Sequence, residues 1–169
     1  MPENISVMII EDDFRISAIH RQIVEKIAGF TVVKEAKTAK EAMAYLQGIP
    51  QAPDLILLDV YIPDVAGLDL FWQLRMQYRL TSLIVITAAQ EMETVRAAIV
   101  GGVFDYMTKP LDANRLEQSL LSFQEKHAFL TARKNCSSRK STISLAHSFL
   151  RNQRMEQETI CQKVSTRSH

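Results

Sequence analysis

Short apolar segments alternate with longer segments in which apolar residues recur at helical spacing, from residue 5 to about residue 130. Continuous apolar runs that are rich in Val, Ile and Leu and end at polar or turn-forming residues are typical of buried β-strands. Such runs predict five strands, with the sequences ISVMII, FTVVKEA, DLILLD, SLIVIT and VFDYM. Apolar residues three and four positions apart predict helices over about 14–28, 39–48, 68–78, 91–100 and 112–130.

The alternation of strands and helices predicts an α/β fold. Strands that are apolar along their whole length are typical of a parallel sheet with helices on both faces. Right-handed crossovers between successive strands then give a doubly wound, five-stranded parallel sheet. In such sheets the functional site lies outside the carboxyl ends of the strands, where the strand order reverses.

The chain is expected to hold one folded domain over residues 1–130 and a tail over residues 131–169. The tail contains seven serines, no Gly or Pro, and no sustained helical or alternating pattern, so we assign it no fold. Residues through Ala132 carry 12 Lys/Arg against 17 Asp/Glu, a net charge of −5, and the rest carry 8 against 2, a net charge of +6. An acidic domain is not expected to bind nucleic acid by itself, because neutralising phosphates requires clustered cations.

Cysteine content and hydropathy indicate the compartment. Both cysteines, Cys136 and Cys161, lie in the tail, so no disulfide framework supports the domain. No apolar run approaches the roughly 20 residues that a membrane span needs, and the N-terminus lacks the pattern of a signal peptide. We therefore expect a soluble, cytoplasmic protein that does not interact with membranes.

Polar residues follow four of the predicted strands. Glu11 and Asp12 come directly after the first strand, and Asp59 follows the third. Thr87 ends the fourth strand, and Lys109 comes just after the fifth. Because the carboxyl ends of parallel strands meet at one edge, these residues predict an acidic pocket with one hydroxyl and one ammonium group.

The chemistry of these side chains suggests phosphoryl transfer. Neighbouring carboxylates raise each other's pKa unless a cation lies between them, and Mg²⁺ typically binds one or two carboxylates, waters and a phosphate. An ionised Asp can attack phosphorus to form an aspartyl phosphate, whose oxygens are neutralised by metal, Lys and hydrogen-bond donors. We therefore predict Asp59 as the phosphoryl acceptor, Asp12 as a Mg²⁺ ligand, Thr87 as a donor and Lys109 as the counter-ion.

The motifs IIEDD, LILLDVYIPDVAGL, VITAA and DYMTKPL occur in this order along the chain. With them, the chain resembles the receiver domains of two-component response regulators over about residues 5–130. The resemblance implies a flavodoxin-like receiver fold and phosphorylation of Asp59 by the phosphohistidine of a sensor histidine kinase. It implies no enzymatic activity beyond self-phosphotransfer and autodephosphorylation, and a possible homodimer through the fourth helix, fifth strand and fifth helix.

The resemblance assigns the metal ligands. Asp12 and Asp59 would bind Mg²⁺ directly, together with the backbone carbonyl of Tyr61. Glu11, which stands where Asp is commoner in the family, would bind the ion through a water molecule.

The resemblance also assigns the switch residues. Thr87 would turn its hydroxyl towards the phosphoryl group, and Tyr106 would swing inward after it. Lys109 would precede a cis peptide bond to Pro110, and Gly67 would be the loop glycine before the third helix.

A narrower resemblance concerns LILLDVYIPDVAGLDL and LIVITAAQEMETVRAAIVGGVFDYMTKPL. These segments are similar to the citrate and C4-dicarboxylate response regulators, transcription factors with a C-terminal helix-turn-helix domain. The residues from Arg133 to His169 are too few to hold that domain. We therefore expect the receiver part of a transcriptional regulator whose DNA-binding domain is missing here; the alternative is a stand-alone receiver that acts by docking to proteins.

Two other functions are disfavoured. Phosphohydrolases with an Asp nucleophile generally carry a second Asp two residues later, where this chain has Tyr61. A flavodoxin-like cofactor site needs backbone N–H groups and hydroxyls after the first strand, and the acidic sequence EDD would instead repel a phosphate.

Four further polar residues are expected to be structural. Asp13 is predicted to cap the first helix, and Asp64 to be a solvated loop residue. His20 and His127 are predicted at the surface of helices. Since no pair of histidines has the spacing of metal ligands, we predict no zinc site.

Overall fold

The computed structural model describes residues 4–66, 68–88 and 92–135. The chain divides into two compact units, residues 1–128 and 129–169. In the second unit the described residues, 129–135, form the end of a helix that begins at Ala113, so that the first residues of the predicted tail are helical. The rest of the tail, with both cysteines, lies outside the described residues, as does Gly67.

Strands and helices alternate along the described residues as the hydrophobic pattern predicts. The strands are β1 (Ile5–Ile10), β2 (Phe30–Ala36), β3 (Leu55–Leu58), β4 (Ser82–Thr87) and β5 (Asp105–Thr108). The helices are α1 (Phe14–Lys26), α2 (Ala39–Gly48), α3 (Asp69–Gln77), α4 (Met92–Val100) and α5 (Ala113–Asn135). The sequence pattern therefore predicts every one of these elements, with differences of a few residues at their ends.

The strands form one parallel sheet in the order β2-β1-β3-β4-β5. The chain builds outward from β1 to β2, returns to β3 on the other side of β1, and then continues to β4 and β5. The strand order therefore reverses between β1 and β3, which is where doubly wound sheets bind their ligands.

Alternate residues of the central strands β1, β3 and β4 enter two different hydrophobic cores. Val7 and Ile9 of β1 belong to a core that includes apolar residues of α1 and α5. Met8 and Ile10 belong to a second core on the opposite face, with apolar residues of α2 and α3. Burial on both faces explains why the strands are continuously apolar, and confirms the predicted doubly wound sheet.

Three helices begin at a capping side chain, which confirms the prediction made for Asp13. Asp13, Thr38 and Asp112 each accept a backbone N–H bond at the beginning of α1, α2 and α5, satisfying donors that lack a partner within the helix. Among the described helices, none has the length and apolar character needed to cross a membrane.

Candidate functional site

Two neighbouring strands bring the acidic residues together. In the pairing of β1 with β3, Ile10 lies opposite Leu58, so the residues that follow leave the sheet side by side. The backbone N–H of Asp59 donates to the carbonyl of Ile10 at 2.9 Å. Sheet register alone therefore places Glu11 next to Asp59.

The carboxylates of Glu11, Asp12 and Asp59 form one cluster. Each offers an oxygen atom, and these atoms all lie within 4.8 Å of one another. Glu11 and Asp59 are only 2% and 5% exposed, whereas Asp12 is exposed. Two buried carboxylates at this separation require a cation nearby, because an unpaired buried charge is costly.

Lys109, which directly follows β5, supplies that positive charge. Its Nζ lies 2.5 Å from Oδ2 of Asp59 and 2.7 Å from Oε2 of Glu11. The backbone N–H of Lys109 donates to the carbonyl of Thr87 at 3.0 Å, and the bond to Pro110 is cis, as predicted. The ammonium group thus contacts two of the three carboxylates, and the cluster keeps a deficit of positive charge.

Burial is the largest single influence on the pKa of Glu11 and on that of Lys109. It raises the pKa of Glu11 above its ordinary value, against the opposing effect of the Lys109 ammonium. Burial also lowers the pKa of Lys109, but its hydrogen bonds to Asp59 and Glu11 outweigh this effect and leave the pKa raised. Lys109 therefore stays charged at neutral pH, and a further cation would favour the ionised form of Glu11.

The remaining predicted site residues are on β4, on β5 and in the loop after β3. Thr87 is completely buried at the end of β4, and Tyr106 of β5 is half-buried against the core on the α2–α3 side. The backbone N–H of Tyr61 donates to Oδ1 of Asp59 at 2.9 Å, while the Tyr61 residue is 49% exposed. The loop after β3 is thereby tied to the Asp59 carboxylate.

The predicted surface position of His20 is wrong. Helix α1 buries Ser17, His20 and Val24, and His20 is 3% exposed, whereas Ile19 is 54% exposed. Burial and the Lys109 ammonium lower the pKa of His20 to about 4, against an opposing effect of Asp59. The spacing 17, 20, 24 is itself a helical face, which was the available signal. By contrast, the His127 side chain is 23% exposed.

Asp64 also has a structural role that the sequence prediction missed. The residue is exposed, as expected of a loop, but its carboxylate oxygens accept backbone N–H bonds from Ala39 at 2.8 Å and Lys40 at 2.9 Å. Both donors are at the beginning of α2. The bond from Lys40 is the main reason that the pKa of Asp64 is lowered.

The profile of the response regulator receiver domain family matches residues 7–121. The chain belongs to this family. The transcriptional regulatory protein CitT of Halalkalibacterium halodurans is 43% identical over 131 residues, which cover 78% of this chain and 57% of that protein. The "Probable C4-dicarboxylate response regulator DctR" of the same organism is 38% identical over 121 residues, covering 72% and 52%.

Solved structures agree with the fold of this receiver domain. A CheY-like response regulator receiver domain protein from Methanospirillum hungatei has a TM-score of 0.62 and 26% identity, covering 72% of this chain and 97% of that one. The response regulatory domain of mrkE from Klebsiella pneumoniae has a TM-score of 0.65 at 23% identity, covering 72% and 96%. The chain spans about half the length of the curated relatives it matches.

The donor set of the receiver domain fits a magnesium ion. Mg²⁺ prefers oxygen ligands, and few of them from protein carboxylates. The cluster offers three carboxylates within 4.8 Å of one another, and one of them, on Glu11, has a pKa that burial raises. A hard divalent cation would supply the positive charge that Lys109 alone does not.

Proposed function

We propose that this receiver domain is a Mg²⁺-dependent phosphorylation switch in which Asp59 accepts a phosphoryl group from the phosphohistidine of a sensor histidine kinase. The observation that supports this best is the cluster of Glu11, Asp12 and Asp59 with a single ammonium group bridging two of them. A structural ion pair would need one carboxylate for each cation. Excess acid at the carboxyl ends of the strands fits a site that takes up a metal.

The metal ligands in this proposal are Asp12, Asp59 and the backbone carbonyl of Tyr61, with Glu11 acting through a water molecule. When bound, Mg²⁺ would neutralise the carboxylates and the phosphoryl oxygens. The hydrogen bond from the Tyr61 N–H to Oδ1 of Asp59 orients the acceptor carboxylate.

In the proposed reaction, a carboxylate oxygen of Asp59 forms a bond to phosphorus while the bond from phosphorus to the kinase imidazole nitrogen breaks. The electron pair of that bond remains on the imidazole, which leaves as a neutral ring because its other nitrogen carries a proton. Lys109 then pairs with a phosphoryl oxygen, and the Thr87 hydroxyl donates to another. Hydrolysis of the same acyl phosphate returns Asp59 to its starting state.

The response to phosphorylation is proposed to pass through β5. Lys109 directly follows this strand, and Tyr106 lies within it beside a cleft of about 230 Å³ that Leu111 and Arg115 also line. Movement of Thr87 and Tyr106 would reshape the surface formed by α4, β5 and α5, by a shift between two populations. That surface is proposed to dimerise and, since the relatives are named as transcriptional regulators, to control transcription through DNA in the full-length protein.

The acceptor is tested with acetyl phosphate and Mg²⁺, read by intact mass. The wild-type chain should gain one phosphoryl group, and Asp59→Asn should gain none. Asp69→Asn is the matched control, since it removes an exposed carboxylate at the beginning of α3. Labelling of Asp59→Asn at the wild-type level would refute the assignment.

The switch is tested on Lys109→Ala. This variant should still take up Mg²⁺ but should not couple phosphorylation to dimerisation, which is measured by size-exclusion chromatography with light scattering. Equal dimer formation by the phosphorylated variant and wild type would contradict the coupling role of Lys109.

A further inference from the structure

A single carboxylate joins the loop after β3 to the beginning of α2. The loop runs from Asp59 to Leu68, and Asp64 lies in its middle. Oδ1 of Asp64 accepts from the Ala39 N–H and Oδ2 from the Lys40 N–H, at 2.8 and 2.9 Å. Two bonds from successive amides fix the orientation of the carboxylate, and the positive end of the helix dipole strengthens them.

The N–H groups at the beginning of α2 donate to two residues, Thr38 and Asp64. Thr38, the residue before the helix, accepts the Glu41 N–H on its hydroxyl and the Ala42 N–H on its carbonyl. Asp64 accepts the first two. Thr38 therefore caps the helix locally, whereas the contribution of Asp64 comes from 25 residues away and crosses from one loop to another.

The segment between Asp59 and Asp64 is held at both ends. At one end the Tyr61 N–H bonds to Oδ1 of Asp59 at 2.9 Å, and at the other Asp64 bonds to α2. Val60 and Ile62 are buried in the core on the α2–α3 side, which leaves Tyr61 between them at the surface. The backbone of Tyr61 therefore depends on these contacts for its position beside the acidic cluster.

We propose that Asp64 is a positioning residue that holds the Tyr61 carbonyl where the metal ion is bound. This inference rests on the proposed function, in which that carbonyl is the third protein ligand. Groups that orient a ligand affect metal affinity although they do not touch the ion. The other interpretation of Asp64, stabilisation of α2 alone, applies equally to Thr38.

Two measurements on Asp64→Ala and Thr38→Ala separate these interpretations. In calorimetric titrations with MgCl₂, Asp64→Ala should bind the ion about tenfold more weakly than wild type, and Asp64→Asn, which keeps one acceptor oxygen, should lie between them. Thr38→Ala should bind as wild type does, although it also loses a cap of α2. Equal affinity of Asp64→Ala and wild type, or an equal loss in Thr38→Ala, would overturn the inference.

Amide hydrogen exchange without metal distinguishes this inference from the proposed function. In EDTA, the Tyr61 N–H should exchange about fivefold faster in Asp64→Ala than in wild type, and at the wild-type rate in Thr38→Ala. Unchanged exchange in Asp64→Ala would overturn the positioning role even if wild type binds magnesium. Wild type that binds no magnesium would overturn the proposed function, while faster exchange in Asp64→Ala would still support the positioning of the loop.

Discussion

Acidification should destabilise this receiver domain through one buried imidazole. His20 is 3% exposed, and burial together with the Lys109 ammonium lowers its pKa from 6.5 to about 4. In the unfolded chain the pKa returns to its ordinary value, so between these two values the unfolded state binds a proton that the folded state does not. The free energy of unfolding therefore falls as the pH decreases below about 6.5.

The two pKa values set the size of this effect. With 6.5 in the unfolded chain and about 4 in the folded one, linkage gives a loss of about 2 kcal/mol between pH 7.5 and pH 5. Glu11 acts in the opposite direction, because its raised pKa lets the folded state retain a proton as the pH falls. Glu35 and Glu41, whose pKa values are lowered by hydrogen bonds from Ser17 and Lys34 respectively, lose their contribution mainly below the ordinary value of 4.5.

A comparison with His20→Gln isolates the histidine, since the carboxylates are common to both proteins. The assay is urea unfolding followed by circular dichroism at pH 7.5 and pH 5, with EDTA to exclude divalent cations. Wild type should lose about 2 kcal/mol more than the variant between these pH values. The reasoning is refuted if His20→Gln and wild type lose the same free energy.

Two further predictions concern stability. Lys109→Ala leaves the acidic cluster without its bridging ammonium group, so in EDTA its free energy of unfolding should be about 3 kcal/mol lower than that of wild type. Thermal unfolding should show that MgCl₂ restores part of this stability. A variant as stable as wild type in EDTA would contradict the electrostatic account. Gly101→Ala would put a Cβ 2.5 Å from Cζ of Phe71, which should cost about 1–3 kcal/mol. Gly48→Ala is its control: apart from its chain neighbours and the backbone of its own helix, no atom lies within 4 Å of the new Cβ, and urea unfolding should show a gain of about 0.5 kcal/mol. Equal stability of these two glycine variants would contradict the packing argument.

The strands and the acidic cluster could be predicted because both depend on short-range patterns. A strand buried on both faces is apolar at every position, and its carboxyl end must lie at the same edge as those of its parallel neighbours. Glu11 and Asp59 directly follow two such strands, β1 and β3, and Lys109 directly follows β5. To predict that these residues lie close together, it was therefore enough to know that the strand order reverses at β1. No knowledge of side-chain packing was needed.

The positions of His20 and Asp64 could not be predicted in this way. The apolar residues of α1 favour a face that includes Ile19, yet the helix turns Ser17, His20 and Val24 inward, because the inner face is decided by what α1 meets in the folded domain. The partners of Asp64 are 24 and 25 residues away on another element. Loop polarity alone predicts exposure, which is correct, but gives no information about the helix to which the carboxylate binds.

The order of the strands gives the two kinds of charge in the site unequal mechanical support. Strands β1 and β3, which precede the acids, have a neighbouring strand on each side, whereas among the described strands β5, which precedes Lys109, pairs with β4 alone. When the charge on Asp59 changes, the outer strand and its connection into α5 are therefore expected to yield first, while the central strands keep the acceptor in place.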